Sequence, residues 1–80
     1  MKILQELEEF YEYVDNLPNW RVIQYINRWN YTENNKLVEE RDRFLKVFYD
    51  YYDKETKTID DYLIMDKIHN INRLIFNKCK

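Results

Sequence analysis

Glycine, alanine and serine are absent from all 80 residues, and there is one proline, one cysteine and one histidine. Without glycine there is no Gly-rich phosphate cradle of the dinucleotide or Walker type, because those loops need backbone geometry and a close approach that a side chain blocks. A Ca²⁺ loop of the EF-hand type, which needs glycine at its sharp turn, is excluded on the same ground. Turns with positive φ must then use asparagine, and Asn16, Asn30, Asn34 and Asn35 fall where turns are wanted.

Without serine there is no serine nucleophile. His69 and Cys79 lie ten residues apart on one expected helix, about 15 Å along its axis, too far for a dyad within one chain. Adjacent acids such as Glu39 and Glu40, or Asp60 and Asp61, diverge on a helix and serve as caps or solvated charge. The expectation is a protein that is not an enzyme, with no catalytic residues, no cofactor and no metal. One cysteine and one histidine also provide neither a disulfide within the chain nor a structural zinc site. His69 reads as a helix-boundary side chain, and Cys79 as incidental in a terminal turn that frays.

No run reaches the roughly 18 apolar residues of a membrane span. The N-terminal stretch MKILQELEEF has acids where a secretory signal has an apolar segment. The expected location is cytoplasmic, in agreement with a lone cysteine, and no membrane contact is expected.

What the chain does have is aromatic residues, fourteen in total. A chain this short buries only about 60 to 65% of its unfolded surface. Large rings that bury much area at modest entropic cost therefore stand in for the missing staples. The abundance of asparagine, lysine, isoleucine and tyrosine looks like AT-rich coding, a habit of small mobile or viral genomes.

Apolar periodicity predicts a single all-α domain over 1–80, a small bundle of four helices at about 2–16, 18–30, 33–54 and 59–78. In the first, Ile3, Leu7, Phe10, Val14 and Leu17 recur at alternating spacings of four and three. It stops near Asn16, because Pro18 disfavours helix at the residue before it. Pro18 can open the second helix, whose Val22, Ile23, Ile26 and Trp29 share a face. Thr32 is the expected cap of the third helix, which opens with Glu33, and Thr58 that of the fourth, with Asp60 and Asp61 in its first turn. The fourth carries Ile64, Ile68, Ile71 and Ile75. Short connections make helices three and four an antiparallel hairpin on which the first two pack.

The stretch FLKVFYDYYDK, residues 44–54, is the densest aromatic run. As a strand it leaves Asp50 on one face with Phe48 and Tyr52. As a helix it gathers Phe44, Leu45, Phe48, Tyr51 and Tyr52 on the core side, opposite Lys46, Asp50 and Asp53, with Tyr49 at the margin.

Charge is uneven: residues 1–17 carry net −4 and residues 18–31 net +2, within a total of −2. Glu8, Glu12 and Asp15 align on helix one as a face that is solvated or draws a basic partner, while Arg21 and Arg28 lie two turns apart on helix two. Trp20, at a helix start, is expected to fold back on the preceding turn; exposed beside Arg21 it would form the pairing most enriched in binding hot spots. Arg41 falls inside the apolar stripe of helix three. Its head must reach water or an acid of helix one or four, or else receive a partner's carboxylate. Leu63, Lys67, Asn70 and Leu74 form a second ridge on helix four, so that this helix is central or meets another chain.

By elimination the chain is expected to be a small protein-binding module, a phage or mobile-element inhibitor of a host protein or defence system that occludes a surface. Its candidate contacts are Trp20, Arg21, Arg28, Arg41, Leu63 and Leu74. Two alternatives use the same residues: nucleic-acid binding through helix two, for which two arginines on a chain of net −2 are a weak footprint, and a structural homodimer through the ridge of helix four.

Overall fold

The structure, a computed structural model, describes residues 2–27 and 35–80. Among these residues the chain forms four α-helices and no strand: α1 (Lys2–Asn16), α2 (Asn19–Ile26), α3 (Lys36–Tyr52) and α4 (Ile59–Lys78). Together they make an elongated body of 40 × 22 × 22 Å.

The local causes are visible at each terminus. Pro18 has φ −65° and ψ 152°, outside the helical region, so α1 and α2 are separate helices; the Pro18 carbonyl accepts from the backbone N–H of Arg21 at 2.9 Å and of Val22 at 3.2 Å to start α2. α2 ends at Ile26, with Asn27 extended behind it, four residues short of the expected end. The expected cap Thr32, the first-turn Glu33, the turn residues Asn30 and Asn34, and the face residue Trp29 lie outside the described residues. The cap observed for α3 is Asn35, whose side chain accepts from the Val38 N–H at 3.3 Å, so this helix begins at Lys36 and not at residue 33. Asn35 does this at φ −79°, as a side-chain acceptor and not as a left-handed residue. α3 also stops two residues early, at Tyr52.

α4 begins as expected. The Thr58 hydroxyl accepts from the Asp61 N–H at 3.2 Å and the Asp61 carboxylate accepts from the Thr58 N–H at 2.8 Å, a reciprocal capping box.

Ion pairs and ring contacts give the direction of packing. Lys67 meets Glu8 at 2.9 Å and Lys78 donates to the carbonyls of Asp15, at 2.7 Å, and Leu17, so α1 and α4 run parallel. Arg43 lies 3.5 Å from Glu6, while Lys36 lies 5.5 Å from the ring centroid of Tyr13, so α3 runs antiparallel to α1, with the rings of Phe10 and Phe44 5.3 Å apart between them. α3 and α4 form the expected hairpin. The first helix packs more on α4 than on α3, and α2 lies over α3 and α4. α4 is therefore the central helix, touched by all three others.

The core consists of Leu7, Phe10, Val14, Val22, Leu37, Phe44, Ile64, Ile68, Ile71 and Ile75, all buried. Each such side chain contributes on the order of 1.5–3 kcal/mol by leaving water. Burial on α3 is one-sided along its length: Leu37, Val38 and Phe44 are buried, whereas nothing after Phe44 on that helix is. α2 is the reason, because it covers α3 near its start, where Asn35 donates to the Tyr25 carbonyl, and has no counterpart near its end among the described residues. No helix among the described residues is long and apolar enough to cross a membrane.

Candidate functional site

The positions singled out from sequence do not converge. Trp20 is 58% exposed, so the expected fold-back does not occur. Instead Arg21 places its guanidinium 5.7 Å from the ring centroids of both Trp20 and Tyr25, within cation–π range. Arg28 lies outside the described residues. Arg41 is half-buried, and the acid it meets belongs neither to α1 nor to α4. Its Nε and Nη2 donate to Asp42, the next residue, at 3.3 and 3.0 Å. Arg41 also bears on Cys79, whose thiol is pushed up by burial and pulled back in part by the Arg41 charge. Cys79 is thus partly packed on the core at the α4 C-cap, not a free end.

The ridge of α4 is largely used within the chain. Lys67 pairs with Glu8 and lies 5.5 Å from the Tyr11 ring centroid, and Leu74 is partly buried against the core. A polar open groove of about 440 Å³ remains along this seam, lined by Tyr11, Asn70, Arg73 and Leu74 among others. Of the two ridge leucines only Leu63 is substantially exposed, at 49%. The acidic line of α1 is likewise partly engaged, through Glu8. A second open groove, about 300 Å³ between α1 and α3, is crossed by Arg43, which binds Glu40 at 2.8 Å. Hydrogen bonding to Glu40 first, and then the charges of Glu40 and Glu6, raise the Arg43 pKa and hold it charged. At the groove's far end Lys36 lies 5.5 Å from the Tyr13 ring centroid, and burial followed by the neighbouring Tyr25 phenol raises the Tyr13 pKa.

Five large apolar side chains stand exposed on the two helix ends that meet at the other end of the molecule. The last turns of α3 and the first of α4, joined through residues 53–58, present Tyr49 (60% exposed), Tyr52 (57%), Ile59 (79%), Tyr62 and Leu63. Phe48 lies beneath, with Tyr49 edge-on at 5.5 Å and Tyr52 stacked at 5.8 Å. The expected division of this stretch therefore holds for Phe44, which is buried, and for Leu45, Phe48 and Tyr51, which pack partly buried on the core, and fails for Tyr52, which leaves the core side.

No family model matches the chain, and no curated protein or solved structure matches it.

The end is well built. Asp61 is only 3% exposed, inside the capping box, and Lys54 reaches it at 3.2 Å. Its pKa is lowered, first by the Thr58 backbone N–H and then by Lys54 and the Thr58 hydroxyl, against the cost of burial. Lys54 also sits 4.3 Å from the Tyr51 ring centroid, and Lys57 lies 5.7 Å from that of Tyr52 while donating to the Lys54 carbonyl at 3.0 Å. Asp50, Asp53, Glu55 and Asp60 are exposed and have no cation partner among the described residues. Sequence reasoning missed this surface, except for Leu63. Its signal was the continuation of tyrosines past the last buried ring of α3 into a second helix that opens with Ile59 and Tyr62. Among the described residues no three His, Cys, Asp or Glu side chains converge as metal ligands would.

Proposed function

We propose that the chain is a protein-binding module that acts by covering a surface of its partner and not by catalysis. One observation carries this reading: Tyr49, Tyr52, Ile59 and Tyr62 stand more than half exposed to water, and Leu63 about half, at one end of an 80-residue chain. Large contiguous apolar surface is costly to leave in water and marks interaction sites. Tyrosine suits such a surface, because it gives rigid contact area with a polar rim. The composition, with its AT-rich look, favours a phage or mobile-element product that inhibits a host protein in the cytoplasm. Occlusion is a mechanism that needs no catalytic group.

Affinity capture from lysate of the cells that encode the chain tests the reading. The expected result is a specific partner retained by the wild type and lost by the Tyr52→Ser/Tyr62→Ser variant at unchanged helix content. A chain that retains nothing beyond what an unrelated helical protein retains would not be a binding module.

A second reading has its own observation, the exposed Trp20 with Arg21 against it, which is the chemistry of a base-stacking platform. It predicts binding of a labelled oligonucleotide that weakens steeply with salt. The protein-binding reading predicts none at about 50 mM salt.

A further inference from the structure

We infer that the hairpin end is the docking face, and that its occupant is a basic protein segment carrying an apolar anchor side chain. The inference rests on the protein-binding reading and adds where the partner sits and what it is made of.

The apolar part of the face asks for an apolar anchor. Ile59 is the most exposed large apolar side chain among the described residues, at 79%, and Leu63 lies four residues on along the same helix. Residues spaced by four are neighbours on a helix surface, so the two offer one patch for a single inserted side chain.

The charges around the patch ask for cations. Four exposed carboxylates at this end, Asp50, Asp53, Glu55 and Asp60, are unpartnered among the described residues. The two loop lysines do not offset them outward: Lys54 is turned to Asp61 and the Tyr51 face, Lys57 to the Tyr52 face. Those two contacts also show that the tyrosine faces of this end accept ammonium groups. The rings of Tyr49 and Tyr62 are exposed and carry no such cation among the described residues. An arginine or lysine laid over an open ring, with its head on a carboxylate, repeats within the complex what Lys54 does within the chain with the Tyr51 ring and Asp61.

A second copy of the chain is a poor occupant. The end face measures 22 × 22 Å, about 500 Å², against the ~800 Å² per partner of a stable interface. Tip-to-tip pairing about a two-fold axis would also bring the same carboxylates together. A basic segment has neither problem, since it can run over the tip and onto its flanks. Nucleic acid would meet net negative charge, five acids against two lysines over residues 49–63.

The test uses the full chain, ¹⁵N-labelled, titrated with a short amphipathic peptide of arginine, lysine and leucine. A second peptide has glutamate at every basic position. The expected result is saturable binding of the basic peptide only, with amide shifts concentrated at residues 49–63. Asp53→Lys/Asp60→Lys should weaken it roughly tenfold or more, and Trp20→Ser should leave it unchanged. Because Asp60 lies in the first turn of α4, where an acid is favourable, Asp53→Asn/Asp60→Asn is the second variant if the lysine pair loses helix content. Shifts concentrated on α2, equal binding of the two peptides, or a light-scattering mass of two copies abolished by the charge reversal would each overturn the inference. If a captured partner persists with Asp53→Lys/Asp60→Lys and is lost with Trp20→Ser, the docking face is wrong while the protein-binding reading stands. If neither partner nor peptide binds, both fall.

Discussion

The two ends of the rod are closed in different ways. At the end where α1 finishes and α3 begins, a fourth helix lies across the others: Val22 of α2 is fully buried, Asn35 donates to the Tyr25 carbonyl at 2.6 Å, and Lys78 ties the end of α4 to the carbonyls of Asp15 and Leu17. At the hairpin end only helix termini and a short loop meet. The capping box and the Lys54–Asp61 pair hold the backbone, and among the described residues no element covers the rings of Tyr49, Tyr52 and Tyr62. The same residue types are core at one end and surface at the other. Cover decides exposure: apart from Trp20 and Phe76, the large exposed apolar side chains among the described residues all lie at the uncovered end.

The largest effect tests whether the ends share one cooperative unit. Phe44→Ala removes the ring that meets Phe10 in the middle of the rod and should cost about 3–5 kcal/mol, most of the stability of a domain this size. Urea unfolding should shift at both ends together. An end that keeps its amide protection would show that the two halves are separate units.

Next, Asn35→Ala removes the α3 cap and the bond to α2, at a cost of about 2 kcal/mol. Hydrogen exchange should quicken in α2 and at 36–39 and remain slow at 59–62. Thr58→Ala does the converse at about 1 kcal/mol, with faster exchange at 59–62. If both variants loosen the same residues, the contrast between the ends is false.

Asp61 adds a pH dependence. Its folded pKa is lowered, so its contribution is present above its unfolded pKa and is lost as pH falls through and below about 4. Denaturant titrations at pH 7 and pH 3 should show Asp61→Asn destabilising at the higher pH and having much less effect at the lower. An equal effect at both would assign its role to packing.

The smallest effect sharpens the functional half of the comparison. Tyr52→Ser and Tyr62→Ser should change stability by no more than about 0.5 kcal/mol, because both side chains are more than half exposed. A larger loss of melting temperature would mean that they serve the fold.

The sequence is most legible where one spacing rule acts alone. The alternating run Ile3 to Leu17 and the stripe Ile64 to Ile75 locate α1 and α4, and Thr58 followed by Asp61 marks a cap. Reading fails where tertiary cover decides. Tyr52 lies on the core side of α3 by angle, yet α2 ends far from it. The ridge from Leu63 to Leu74 does show α4 to be central, as the expectation allowed, but it could not say that α1 would take Lys67 and Leu74 and leave Leu63 out. Asn35 caps α3 where Thr32 was expected, since periodicity alone cannot choose among several polar residues before the first buried leucine.

The claim that the chain works through its uncovered end is tested most directly by hydrogen exchange on the captured complex, compared with the free chain. The account predicts new protection at 49–52 and 59–63 and none in α2. Protection gained in α2 with the hairpin end unchanged would contradict it.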